Sequence, residues 1–311
     1  MDQVFKIRKT DGQWEQKIQF FKTKDRHSEE HRQIIPSKLI PVFIKVFYRI
    51  SMPRFNANLS MMFHEHDFLD RFGAAANAGF KGVEFLFPYA YSLSNVKEAL
   101  EANQLTQVLF NLPPGDWEKG ERGMSCLPGR QNEFRESVEL ALEFANGLGC
   151  KQIHAMAGIK PEGIAQEALL ETYLENLHYA THFCEQHDVR LLIEAINSRD
   201  MPGYFLNKSA QAIAVIEKVG SSNLWIQYDI YHMQIMEGDL SPTITELLPR
   251  ISHFQIADTP GRHEPGTGEI NYPYLFSRID KLGYEGWLGC EYRPLSGTIE
   301  GLSWASDWLG K

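Results

Sequence analysis

Four apolar stretches of this sequence each carry polar side chains toward their C-terminal ends. The stretches are LLIEAIN (191–197), IQYD (226–229), HFQIAD (253–258) and LGCEY (288–292), and their polar side chains include Glu194, Asp229, Gln255 and Glu291. An ionised, unpaired carboxylate inside a buried strand costs several kcal/mol, so each must be paired, protonated or bound to a cation. Either each group pairs with its own arginine or lysine, or the four groups form one shared site.

A shared site of three carboxylates and one amide oxygen needs a compensating cation, because like charges at one place oppose each other's ionisation. Hard oxygen donors favour Mg²⁺ or Mn²⁺ over a zinc site built from thiolates. The sequence therefore predicts a divalent metal held by Glu194, Asp229, Gln255 and Glu291.

Short apolar strands alternate with helical patterns from Pro53 onward. The predicted strands span residues 55–59, 82–87, 107–112, 152–157, 190–196, 224–229, 252–257 and 286–291, and the predicted helices span 67–78, 132–148, 167–187, 209–219 and 272–282. Eight strands with intervening helices over about 260 residues predict a (β/α)8 TIM barrel, in which chemistry sits at the C-terminal ends of the strands. The rival is a doubly wound open sheet, but that fold needs a glycine-rich loop after its first strand, and residues 58–64 contain no glycine.

Residues 1–51 differ from the rest of the chain in charge. They hold 11 lysines and arginines against 6 acidic residues, a net charge of +5, so the remaining residues carry −14 of the overall −9. A body this acidic is a poor partner for nucleic acid phosphates. We interpret residues 1–51 as an N-terminal arm, disordered or packed on the barrel, or as upstream sequence before a natural start at Met52. Residues 52–311 are predicted to be the barrel domain.

The cysteine pattern and the hydropathy bear on the compartment. The four cysteines have no CxxC spacing, and a disulfide framework is not expected in a chain of 311 residues. We expect buried free thiols in a reducing cytoplasm. No stretch of about 18 apolar residues occurs, so no membrane span is expected.

Several long motifs of the barrel domain resemble those of a known family. They are FNANLSMMF (55–63), GVEFLFPY (82–89), NLPPGDWEKGERG (111–123), LPGR (127–130), IQYDIYHMQ (226–234), HEPGTGEINY (263–272) and GCEYRP (289–294). From about Met52 to the C-terminus the chain resembles the hydroxypyruvate isomerase family, a branch of the xylose-isomerase-like TIM barrels. Relatives that isomerise 2-oxo-tetronates share most of these motifs, so the length of the substrate stays open.

The resemblance implies that Glu194 and Glu291 flank the substrate as proton donor and acceptor, and that they bind the metal together with Asp229 and Gln255. Moving a proton between neighbouring carbons of an α-hydroxy carbonyl suits two opposed carboxylates. A metal would stabilise the enediolate, and a metal-assisted hydride shift is the alternative. The implied reaction converts hydroxypyruvate to tartronate semialdehyde, with no nucleotide cofactor.

Further residues are candidates for substrate binding. His232 follows the second polar strand and could bind substrate oxygens, and His154 could line the pocket. Arg122 and Arg262 lie in loops above the predicted mouth, where arginine would match a substrate carboxylate. Each has a structural alternative, as a scaffold residue or a solvated loop arginine. Glu84 is predicted to be a structural partner of an arginine or histidine rather than a metal ligand.

Two other functions are consistent with the fold class. The same superfamily includes metal-dependent endonucleases that act at abasic DNA sites, but these use several zinc ions, many histidine ligands and a basic groove. A non-catalytic barrel that binds sugar acids is the other, and the paired glutamates argue against it. The expected partners are a small 2-oxo or hydroxy acid and a second copy of the chain in a homo-oligomer, with neither nucleic acid nor membrane.

Overall fold

The computed structural model describes residues 53–309 in full and, upstream of them, only the backbone of three strands. These strands are β1 (Gln3–Thr10), β2 (Gln13–Phe20) and β3 (Arg32–Gln33), which pair in antiparallel order. The remainder of the predicted N-terminal arm lies outside the described residues. The boundary between residues 51 and 52, and the origin of the arm, therefore stay predictions.

Eight parallel strands close into a barrel, as the sequence predicts. They are β4 (Arg54–Asn58), β5 (Gly82–Glu84), β6 (Thr106–Asn111), β7 (Gln152–His154), β8 (Arg190–Glu194), β9 (Leu224–Asp229), β10 (Ile251–Ile256) and β11 (Trp287–Cys290). Each pairs with its neighbour in sequence, and β11 pairs with β4 to complete the ring. The chain is thus a (β/α)8 TIM barrel rather than an open sheet. Strand β7 ends three residues earlier than predicted because Ala157 turns away to bridge Gly123 in another loop.

The helices lie between the strands along the chain. They are α1 (Asp70–Asn77), α2 (Leu93–Ala102), α3 (Gln131–Leu148), α4 (Gln166–Gln186), α5 (Ser209–Val219), α6 (Ile230–Met236), α7 (Leu240–Leu247) and α8 (Tyr272–Lys281), with 3-10 turns at Leu248–Arg250 and Glu300–Ala305. All five predicted helices are present. The predicted start at Asp67 is wrong, because α1 begins at Asp70 and no side chain caps it.

Three of these helices, α2, α6 and α7, were not predicted from the sequence. The signal for α2 was present, since the Ser92 side chain caps it by accepting a hydrogen bond from the Asn95 backbone. Helix α6 follows β9 with no intervening loop, and the Asp229 carboxylate caps it. A strand that passes directly into a helix leaves no turn residues to mark the boundary.

Strand β8 shows how the barrel aims its side chains. Leu191 and Ile193 belong to the main core that the helices cover, whereas Leu192 packs in a separate small cluster with Val108. Because side chains alternate along a strand, Glu194 shares the face of Leu192. The carboxylate therefore points inward at the C-terminal end of the strand.

One expectation from composition is met in this part of the chain. All four cysteines are buried and free. No helix within the described residues is long and apolar enough to cross a membrane.

Helix α3 offers a matched pair for testing how the barrel is stabilised. Leu142 is 3% exposed and Leu140 is 38% exposed. We expect Leu142→Ala to lower the free energy of unfolding by about 2–5 kcal/mol, because it leaves a cavity in the core. Leu140→Ala should change it by less than about 1 kcal/mol, since surface substitutions rarely do more. Urea unfolding followed by circular dichroism measures both, and equal losses would contradict the packing described here.

Candidate active site

A cavity of about 890 Å³ opens among the ends of the barrel strands. All six residues predicted to be catalytic or substrate-binding line it, namely His154, Glu194, Glu291, His232, Arg262 and Arg122. The cavity therefore brings together residues that lie as far as 169 positions apart in the sequence. Their individual roles stay predictions.

Buried acidic groups converge beside this cavity. Ligand atoms of Glu194, Asp229, His232 and Glu291 all lie within 4.8 Å of one another. Burial raises the pKa of Glu194 well above its usual range, and the charges of Glu291 and Asp229 raise it further. Burial also raises the pKa of Glu291 to about 8, although Arg262 opposes the shift. The protein alone thus leaves this cluster short of positive charge.

Two oxygens of the cluster have no hydrogen-bond partner although they are buried, Glu194 Oε1 and Asp229 Oδ2. The other oxygen of Asp229 is occupied, since Oδ1 accepts from the backbone N–H of Tyr231 at 2.8 Å and of His232 at 3.3 Å. Buried polar oxygens are rarely left unpaired. Together with the surplus of carboxylates, these free oxygens fit a divalent cation that prefers oxygen ligands.

Gln255, the fourth predicted ligand, lies opposite Asp229 in the register of β9 and β10. Its Nε2 donates to Glu84 Oε1 at 2.8 Å, and its Oε1 accepts from Gln227 Nε2 at 2.7 Å. An amide oxygen has two lone pairs. The Gln255 oxygen therefore keeps one lone pair for a metal ion.

His232 lies within the cluster, but it acts as a hydrogen-bond donor rather than as a metal ligand. Asn197 Oδ1 accepts from the Asp200 backbone N–H at 2.7 Å, so the Asn197 amide nitrogen faces His232 Nδ1 at 2.6 Å and donates to it. Burial, assisted by Arg262, lowers the pKa of His232 well below its usual value, so the ring is neutral. Its proton then sits on Nε2, 3.5 Å from Asp229 Oδ2. A protonated nitrogen donates hydrogen bonds and does not bind a metal.

His154 is also neutral. Burial lowers its pKa to about 3. Nδ1 lies 3.1 Å from Asn111 Oδ1 and 3.8 Å from Glu194 Oε2, whereas Nε2 is buried without a partner. The ring thus presents a polar edge beside Glu194, which a substrate oxygen could use.

Arg262 is held among carboxylates rather than left free. Its Nη2 donates to Glu291 Oε2 at 3.0 Å and lies 3.8 Å from Asp229 Oδ2. Nη1 is 3.6 Å from Asp200 Oδ2, and the guanidinium stacks over the Tyr231 ring. Its positive charge is therefore already shared among three carboxylates.

The loop that carries Arg262 is built to hold it there. Arg262 has a φ of +56°, a conformation uncommon for a residue with a side chain. Asp258 organises the loop by accepting backbone N–H groups on both oxygens, from Gly266 and Gly268 on Oδ2 and from Thr259 and Ile270 on Oδ1. Backbone conformations of this kind persist where the surrounding structure enforces them, often at functional sites.

Arg122 has a different environment. Its guanidinium lies 3.8 Å from the Trp117 ring centre, and Nη1 donates to the carbonyls of Trp117 and Glu121. Within residues 53–309 it has no carboxylate partner. Of the two predicted arginines, Arg122 is therefore the one whose charge is available to an anion.

Sequence reasoning missed several residues of the site. Gln227 and Arg293 line the cavity, and Asn197 and Asp200 hold His232 and Arg262 in place. Gln227 could have been found, since it stands two residues before Asp229 and so shares its face of the strand. The predicted pairing of Glu84 with a histidine is confirmed, because its Oε2 lies 2.7 Å from His253 Nε2.

Comparisons with known proteins agree with this fold. The chain matches a family model described as a xylose isomerase-like TIM barrel over residues 72–308. It is 52% identical over 260 residues to the 2-oxo-tetronate isomerase of Cupriavidus necator, covering 84% of this chain and 100% of that protein. It is also 52% identical over 257 residues to the hydroxypyruvate isomerase of Escherichia coli, covering 83% and 100%. A solved structure from Brucella melitensis, described as an AP endonuclease of family 2, is 49% identical with a TM-score of 0.81, covering 83% and 99%.

The acidic cluster predicts that a divalent cation stabilises the fold. We expect Mn²⁺ or Mg²⁺ at 100 times its Kd to stabilise metal-stripped protein by about 2.7 kcal/mol, seen as a higher melting temperature. Asp229→Asn should abolish this gain at the same metal concentration, because it removes one charge while keeping the cap of α6. The control Asp188→Asn, on an exposed carboxylate paired with Lys151, should retain it. No response of the unaltered protein to either cation would refute a metal site here.

Proposed function

The chain belongs to the xylose isomerase-like TIM barrels, among the hydroxypyruvate and 2-oxo-tetronate isomerases, and from that premise we propose that it interconverts hydroxypyruvate and 2-hydroxy-3-oxopropanoate (tartronate semialdehyde). The alternative substrate is a 2-oxo-tetronate, one carbon longer. Relatives named for each reaction are equally similar to this chain, at 52% identity. The chemistry is the same in both cases, an aldose–ketose isomerisation.

The observation that carries the proposal is the pair of buried glutamates, Glu194 and Glu291, that share one cavity. In the proposed reaction, one carboxylate removes a proton from the hydroxyl-bearing carbon and the other returns a proton to the former carbonyl carbon. A second proton moves from the substrate's hydroxyl oxygen, which becomes the new carbonyl oxygen, to the former carbonyl oxygen, which becomes the new hydroxyl. Carboxyl groups on opposite sides of an enediol can perform both transfers.

Other groups of the cavity would orient the substrate. The Nε2–H of His232 is proposed to donate to a substrate oxygen, and His154 is proposed to bind beside Glu194. A divalent cation, Mg²⁺ or Mn²⁺, held by Glu194, Asp229, Gln255 and Glu291 would stabilise the negative charge of the enediolate. No nucleotide cofactor is needed for this chemistry.

We propose that Arg122 binds the substrate carboxylate, with Arg293 as a second cation on the same cavity. Arg122 has no carboxylate partner within the described residues, and the packing of its guanidinium on Trp117 holds it in place for an anion. Arg262 is proposed to act at the reacting end instead, since it already contacts Glu291.

An abasic-site endonuclease is the second candidate, because one similar structure carries that description. The ligand group in residues 53–309 offers a single histidine, and the chain beyond residue 51 has a net charge of −14. Both features oppose a cluster of zinc ions on a DNA groove. We therefore favour the isomerase. We propose that its partners are a small acid and a second copy of the chain in a homo-oligomer. We propose the cytoplasm as the compartment, because free thiols persist there.

Proton transfer can be followed by proton NMR in D₂O with Mn²⁺ or Mg²⁺ present, the final spectra being taken after the metal is removed. We expect hydroxypyruvate to be converted faster than the 2-oxo-tetronate, with solvent deuterium in the product. Glu194→Gln or Glu291→Gln should each reduce the rate by at least about 10²-fold, because neither amide transfers protons. Glu175→Gln, on an exposed glutamate of α4, is the control. Product without deuterium would favour a hydride shift, and near-normal turnover in either active-site variant would exclude the two-glutamate mechanism.

The role of Arg122 is tested by removing its charge. We expect Arg122→Gln to lower kcat/KM for hydroxypyruvate by about 10–100-fold, the value of a hydrogen bond between charged groups. We expect dihydroxyacetone, which lacks the carboxylate, to be isomerised more slowly, and Arg122→Gln should change that rate little. Arg135→Gln is a matched control, since Arg135 also stacks on an aromatic ring, that of Tyr179, away from the cavity. Equal losses on both substrates would show that Arg122 does not recognise the carboxylate.

A further inference from the structure

Glu84 is a buried carboxylate that the proposed mechanism does not use. It ends β5 and is 1% exposed. Its Oε2 accepts from Asn56 Nδ2 at 2.8 Å and from His253 Nε2 at 2.7 Å. Its Oε1 accepts from Asn58 Nδ2 at 3.1 Å and from Gln255 Nε2 at 2.8 Å. Four donors from two other strands thus converge on one carboxylate inside the barrel.

The geometry around Glu84 decides which end of each partner faces it. Each of its two oxygens accepts from two donors. A carboxylate oxygen attracts an amide N–H and repels an amide oxygen. The asparagine and glutamine side chains that meet Glu84 therefore present their nitrogens to it.

That requirement determines the orientation of Gln255. A glutamine amide can turn by 180° and exchange its oxygen with its nitrogen at little steric cost. With Nε2 drawn to Glu84, the oxygen faces the other way, where Gln227 donates to it and lines the cavity. Asn58 is oriented in the same manner, and its Nδ2 also lies 3.4 Å from Glu291 Oε1.

We propose that Glu84 is a positioning residue for the metal site, acting through Gln255: its carboxylate holds the amide so that oxygen, and not nitrogen, faces the cation. This inference rests on the proposed metal-dependent isomerisation, since it assigns Gln255 as a ligand. Partners that orient a metal ligand are typically worth 10–100-fold in metal affinity when removed. Gly289 makes room for the arrangement, because a Cβ at that position would overlap the Glu84 carboxylate.

The test is Mn²⁺ affinity of the metal-stripped full chain, measured by calorimetry and by the electron paramagnetic resonance of free Mn²⁺. We expect Glu84→Met to weaken binding by about 10–100-fold. Asn56→Ala, which removes a donor to the other Glu84 oxygen, should leave the affinity within about threefold of the unaltered protein. If Glu84 had only a structural role, both substitutions would lower the melting temperature and neither would change the affinity for Mn²⁺.

A double-mutant cycle separates action through Gln255 from a general disturbance. In a Gln255→Met background, which has no amide to orient, Glu84→Met should cause no further loss of Mn²⁺ affinity. An equal loss in both backgrounds would overturn the inference, and so would an Asn56→Ala variant as weak as Glu84→Met. If Glu84→Met fails to fold, Gly289→Ala replaces it in the same cycle, because it retains the carboxylate but displaces it.

Measuring Mn²⁺ affinity and turnover separately distinguishes a wrong role for Glu84 from a wrong proposed function. Unchanged Mn²⁺ affinity in Glu84→Met would overturn the role of Glu84 and leave the isomerase standing. An unaltered protein that binds Mn²⁺ but converts neither acid would overturn the proposed substrates, while the cycle still decides the role of Glu84. An unaltered protein that binds no Mn²⁺ would overturn this inference together with the metal site.

Discussion

The site depends on negative charge concentrated on side chains that are almost fully buried. Three carboxylates and a histidine place ligand atoms within 4.8 Å of one another, all buried at the mouth of the barrel. Mutual repulsion and lost solvation both oppose ionisation there, so the surroundings must supply compensation. Arg262 supplies part of the compensating positive charge. It has a positive φ and lies in a loop that hydrogen bonds to Asp258 hold in place. The oxygens of Glu194 and Asp229 that lack a hydrogen-bond partner belong to a cluster that could hold a metal ion.

Two kinds of buried glutamate stand side by side in this barrel. Glu84 meets four donors and its pKa falls, whereas Glu194 and Glu291 meet other carboxylates and their pKa values rise. All three are buried, so burial alone does not decide whether the pKa of a glutamate here rises or falls. The partners decide the direction of the shift. The amide nitrogen of Gln255 donates to Glu84, and its oxygen accepts from Gln227, a residue that lines the cavity.

Similar chains carry different descriptions, an isomerase in two relatives and an endonuclease in one structure. The barrel itself does not choose between them, because one fold supports many reactions. The choice comes from the site, where the ligands are mostly oxygen atoms, the cavity is of small-molecule size and the chain beyond residue 51 is acidic. A small anionic substrate turned over by paired carboxylates accounts for all three features.

The sequence by itself determined the barrel, its eight strands and the position of the acidic residues at strand ends. Those features follow from local rules, since strand alternation and parallel pairing bring the C-terminal ends of neighbouring strands together wherever they stand in the chain. The tertiary structure alone decided which of two arginines has carboxylate partners among residues 53–309. In the sequence, Arg122 and Arg262 are both loop arginines that cannot be told apart. In the folded chain, Arg122 packs on Trp117, whereas Arg262 contacts carboxylates. It also decided the proton on His232 and the direction of the Gln255 amide, because both depend on partners more than 30 positions away, Asn197 and Glu84. A pattern of residue types cannot contain such information, since hydrogen-bond direction is a property of pairs that only folding brings into contact.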